Sequence, residues 1–193
     1  KDARAYKLPV VCANLLARVD SVKVRGEGKE YAAADRLGTA FAPWRIVEKE
    51  GIRIGFIGVL SPAAKLPRAS VSSIDALTYS LEDPVAAVKG VLPEVRAQCD
   101  VVVVLAHMDQ LEAQHFAGAV PGIDLMVLGH DAAGRPLGEP IVTGGTKILR
   151  ATHQGQNIGQ MDITLTSQRT IDEARNRIHV LSGAYPDDPE MTK

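Results

Sequence analysis

Two histidines stand where an imidazole can do chemistry. The run Val101-Val-Val-Val-Leu-Ala106 leads directly into His107, and Leu125-Met-Val-Leu-Gly129 leads directly into His130. Each run is short and apolar throughout, the pattern of a strand buried on both faces of a parallel sheet. In open α/β sheets, ligands and metals gather outside the carboxyl ends of the strands. If the two strands are neighbours, both rings emerge on one rim, where neutral imidazole suits Zn, Mn or Fe. The alternative is that each histidine only caps its strand, because no HxH or HExxH pattern supplies a third ligand.

Around this pair, His153 in Thr152-His-Gln-Gly155 is a further candidate at the rim. Asp109 and Asp131, each close in sequence to a rim histidine, are candidates to orient an imidazole by accepting its N–H. His115, in an Ala-rich helical stretch, and His179, among charged neighbours in the last expected strand, read as surface residues. Thr143-Gly-Gly-Thr146 lacks the Lys and the following helix of a phosphate loop and reads as a turn. Cys12 and Cys99 form no CxxC, so neither a disulfide scaffold nor haem attachment nor structural zinc is expected. No residue stands out as catalytic in its own right.

The elements that must position these residues follow from apolar pattern and punctuation. Residues 8–13 read as a short strand ending at Asn14, and residues 18–38, rich in charge and Gly, as a surface excursion. Trp44, Ile46 and Val47, then Gly51, then Ile52, Ile54, Phe56 and Ile57 predict a hairpin turning at Gly51. Pro62 and Pro67 make residues 60–78 a loop. Asp83-Pro84 starts a helix with a capping carboxylate and a proline in the first turn. Val85, Val88, Leu92 and Val95 share one face of it, and Pro93 predicts a kink or break in its last turns. A strand to His107, a helix over 111–119, a turn at Pro121-Gly122 and a strand to residue 128 give a β-α-β order, which implies parallel strands covered by helices. Strands at 146–152, 158–165 and 178–181 complete the chain before Pro186 and Pro189.

Composition narrows the classes of function. At 193 residues, 46% hydrophobic and 23% charged, the chain is sized for one ordinary globular domain. Lys plus Arg number 22 and Asp plus Glu 23, a net charge of -1 that gathers no phosphate backbones and argues against a nucleic-acid partner. The longest apolar runs fall far short of the roughly 20 residues of a membrane-spanning helix. The chain opens at Lys1 without Met or an apolar leader, so preceding residues are expected to have been removed.

A series of segments, in order along the chain, resembles the 5′-nucleotidase group of the calcineurin-like metallophosphoesterases. Leu8-Pro-Val-Val-Cys-Ala-Asn14 is similar to the strand that follows the family's Gly-Asn-His-Glu motif; Phe41-Ala-Pro-Trp44, Gly51-Ile-Arg-Ile-Gly-Phe-Ile-Gly58 and Ser61-Pro62 resemble its next hairpin. Asp83-Pro84, Asp100-Val-Val-Val-Val-Leu-Ala-His107 and Pro121-Gly-Ile-Asp-Leu-Met-Val-Leu-Gly-His130 follow the order of its later helix and its two histidine-bearing strands. Gln154-Gly155, Ile158-Gly159, Asp162 and Asp188-Pro-Glu-Met191 resemble the segment that closes the catalytic domain.

The resemblance implies an α/β fold, a metallophosphoesterase-like two-sheet sandwich flanked by helices, lacking its N-terminal half. Residues 1–183 would form the downstream half of the catalytic domain and 184–193 a tail or the start of a linker. It implies a metal-dependent phosphoric monoester hydrolase with a small phosphate ester as substrate, holding divalent Zn, Mn or Fe, two ions when the upstream half is present. His107 and His130 become metal ligands; Asn14, Asp109, Asp131 and His153 remain at the rim. Ala132 stands where the family has a further His or Gln ligand, and the upstream motifs precede Lys1. The chain alone is therefore expected to be inactive, to pair with the upstream half or another protein subunit, and to be periplasmic or extracellular. The alternative is a degenerate relative that keeps the fold as a scaffold or partner-binding subunit.

Overall fold

The computed structural model describes residues 9–19, 41–64, 77–130, 137–151 and 155–183. Its first elements are β1 (Val10–Val11), β2 (Leu15–Val19), β3 (Phe41–Ala42), β4 (Trp44–Lys49), β5 (Ile52–Leu60) and β6 (Leu77–Leu81). They are followed by α1 (Pro84–Arg96), β7 (Val101–His107), α2 (Gln110–Ala119), β8 (Leu125–Leu128), β9 (Ile141–Thr143), β10 (Thr146–Arg150), β11 (Asn157–Leu165) and β12 (Ile171–Val180).

The central sheet has the order β4-β5-β7-β8-β10-β9. Its four inner strands are parallel, and β4 and β9 close the edges as antiparallel hairpin partners. The β4–β5 hairpin turns where expected: Glu50 at φ 53 and Gly51 at φ 76 give the pair of left-handed residues that a twist-matched two-residue turn needs. Thr143-Gly-Gly-Thr146 is likewise a turn, joining β9 to β10.

Valines 101–104 show how both faces of the sheet are used. Val102 and Val104 pack with α1 and α2 through Val88, Val91, Val95, Phe116 and Ala117, while Val101 and Val103 pack with Met161, Ile163, Leu165 and Ile171 of the β11–β12 hairpin. Each fully buried aliphatic side chain contributes about 1.5–3 kcal/mol, so β7 is fixed from both sides. The layers are therefore helices, the six-stranded sheet and a two-stranded sheet, with the hairpin as the second sheet of the sandwich. An inner face bare of cover is expected from the sequence; here the hairpin covers its amino-terminal part and leaves Leu105 and Val127 each 40% exposed.

One expectation is corrected, that for residues 60–78, and of the kink or break expected at Pro93 the break does not occur. Helix α1 continues through Arg96 although Pro93 lies inside it. The carbonyl that Pro93 leaves without an N–H belongs to Lys89, an exposed residue, so the lost bond lies on the solvent side of the helix. Residues 60–78 are not all loop, because β6 begins at Leu77 and pairs antiparallel with β2. The start of α1 is as expected: Asp83 accepts from Ala86 N–H at 2.7 Å with Pro84 in the first turn.

At the amino-terminal edge, the Asp100 carboxylate accepts from the Arg53 backbone N–H at 2.8 Å and from the Arg169 guanidinium at 2.9 Å. Arg169 also donates to the Gly51 carbonyl at 2.8 Å, pinning the hairpin turn to the sheet. The Arg53 N–H, followed by Arg169, holds the Asp100 carboxyl below its ordinary value. A depressed carboxyl stabilises the fold fully above the unfolded value and loses that contribution as pH falls through the folded one. Asp100→Asn is thus expected to lower the unfolding temperature at neutral pH, with the gap closing below the usual carboxylate range. Thermal unfolding of both proteins from pH 7 down to acid checks this; a gap independent of pH contradicts it.

Candidate metal centre

Strands β7 and β8 are adjacent and parallel, with Ala106 opposite Leu128. His107 and His130 therefore leave neighbouring strand ends on one rim. Two backbone bonds fix that rim: Gly129 N–H donates to the Ala106 carbonyl, and Ser61 N–H to the His107 carbonyl, both at 2.9 Å. Met108, fully buried, anchors the residue after His107 in the helix-side core. The two imidazoles meet with ring centroids 4.1 Å apart and planes tilted by 38°.

Both histidines are solvent-accessible. Partial desolvation, then the neighbouring His130, lowers the pKa of His107 from its ordinary value. The neutral ring, with a free lone pair, is the form that ligates metal. Two adjacent imidazoles fit a divalent transition ion but supply half of the roughly four ligands of a stable site. Among the described residues, no group of three or more His, Cys, Asp or Glu completes one.

The other candidates divide. Asn14 is fully buried and committed to structure: its Nδ2 donates to the carbonyls of Leu60 at 2.8 Å and Glu82 at 3.2 Å, and its Oδ1 accepts from Leu60 N–H at 2.9 Å. It ties the end of β5 to the entry of α1 from behind the rim. Asp109 caps α2, accepting from Glu112 N–H at 2.8 Å, so it shapes the turn after His107. Asp131 and His153 lie outside the described residues, as does the 184–193 segment. His115 is exposed, as expected, and His179 bonds Gln160 Oε1 at 2.8 Å on the hairpin.

Two features of the rim escape sequence pattern. Arg150, only 7% exposed, ends β10 beside β8 and donates to Gln110 Oε1 at 3.2 Å, at the start of α2. The preceding Thr146-Lys147-Ile148-Leu149 gives no such apolar run as the one that marks His107. The second is an apolar groove of about 390 Å³ below His107, lined by Val11, Leu15, Leu60, Leu105 and Val127 among others. Cys12 also lines it, as a thiol whose pKa burial raises, which keeps it protonated and a poor ligand.

Comparison with known proteins bears on the fold. No protein-family model matches the chain. It is 32% identical over 124 residues to the uncharacterized metallophosphoesterase YunD of Bacillus subtilis, a match spanning 64% of this chain and 25% of YunD. Its fold is similar to that of the sulfate thiohydrolase SoxB of Thermus thermophilus, with a TM-score of 0.66 at 20% identity over 88% of this chain and 28% of SoxB. It is similar also to a 5′-nucleotidase precursor from Thermus thermophilus, with a TM-score of 0.65 at 20% identity over 92% of this chain and 34% of that one. The chain thus spans about a quarter to a third of the length of these relatives.

Proposed function

Because this chain has the calcineurin-like metallophosphoesterase fold, we propose that it forms part of a metal-dependent phosphoric monoester hydrolase of 5′-nucleotidase type. The observation that carries this reading is the convergence of His107 and His130 at the carboxyl rim of the sheet. These two imidazoles would hold a divalent cation, Zn, Mn or Fe, and such an ion supplies Lewis-acid polarisation of a phosphoryl oxygen. The chain's own residues do the positioning. Strands β7 and β8 set the separation of the rings, Ser61 and Gly129 fix the backbone around them, and Asp109 starts α2 just beyond His107.

The remaining donors come from residues outside this pair, on the upstream half of the domain or on another subunit that joins this rim. His153 and Asp131 are the first to test within the chain. The substrate is a small phosphate ester, and the site is periplasmic or extracellular. A second reading, a scaffold that has lost activity, is favoured by one observation: Ala132, two residues after His130, has no donor atom.

Calorimetric titration of the 193-residue chain with Zn or Mn, followed by an assay on a chromogenic phosphate ester, tests the reading. Weak binding of the ion through the histidine pair and negligible turnover are expected. Tight binding with turnover would mean that the chain carries a complete site, and no binding at all would favour the scaffold. Native mass measurement tests the partner: self-association or capture of the upstream half is expected, and a stable monomer of 20.6 kDa contradicts the need for a partner.

A further inference from the structure

We draw no further inference here: the strongest candidate, the apolar groove beneath His107 floored by Leu105 and Val127 and walled by Val11 and Leu15, adjoins the site already described, and nothing in the structure shows what covers it.

Discussion

Replacing His107 or His130 by alanine is expected to lower the affinity of the chain for a divalent cation by at least about 100-fold, beyond the 10–100-fold that loss of an outer-shell partner costs. The expectation rests on the poverty of the site. Among the described residues the donors brought together are two imidazoles whose centroids lie 4.1 Å apart, so removing one leaves a single ligand of that pair, which holds an ion no better than any exposed histidine. Neither ring is buried in the core, so the fold should survive and the far-ultraviolet spectrum should stay unchanged. His115→Ala is the matched control, exposed on α2 and facing away from the core. Titration of the three variants with Zn decides: equal losses for the two rim histidines and none for the control are predicted. An affinity unaffected by either rim variant would remove the pair from metal binding.

The largest effect on stability is expected at Gly58. A Cβ at this position would lie 1.9 Å from the carbonyl oxygen of Val11, because β1 crosses β5 at van der Waals contact with the glycine backbone. The obstacle is main chain and cannot rotate away. One of the two must move, and the Ala13 N–H to Gly58 carbonyl bond at 2.7 Å lies in the path of that movement. Gly58→Ala is therefore predicted to cost about 3 kcal/mol, the upper range for overpacking a filled interior. Gly90→Ala provides the opposite sign: an added Cβ there meets nothing within 4 Å, and the residue sits inside α1, so a gain of about 0.5–1 kcal/mol is expected. Chemical denaturation of the two variants separates steric conflict from helix propensity; equal effects would contradict the crossing of β1 over β5.

How far these features could be read from the sequence depends on whether their cause is local. Strand β7 is legible because four consecutive valines leave no polar face, and α1 because Asp83-Pro84 combines a cap with a permitted proline. The hairpin turn at Gly51 is local as well. Strand β6 is not, because its partner β2 lies far earlier in the chain, and Pro67 upstream suggests a loop continuing through it. Strand β12 runs over Ile171–Val180, starting well before the apolar cluster at 178–181 indicates. Asp172, Glu173, Arg175 and Arg177 obscure it, although Arg175 and Arg177 lie on the polar side of a ribbon whose other side faces the sheet. The shift in register between Thr164/Leu165 and Glu173/Ile171 leaves Asp172 without a partner across the ribbon and breaks the alternation of β12 itself.

The site divides along the same line. The two rim histidines are visible because an apolar run followed by His needs no distant information. Asn14 and Asp109 are visible as polar residues at element ends, but only the surrounding backbone shows that both are consumed by structural bonds, Asn14 to β5 and the α1 entry, Asp109 to its own helix. The buried placement of Arg150 depends on α2 folding across β10, which no spacing in the sequence encodes.

The proposed function requires His107 and His130 to bind one divalent cation together. Its most direct test is to follow the ring nitrogens of all histidines by ¹⁵N NMR while Zn is added to the intact chain. The His107 and His130 signals are expected to move in parallel along a single isotherm toward the shifts of metal-bound imidazole, while those of His115 and His179 stay in place. Independent isotherms for the two rim histidines, or no movement of either, would contradict it.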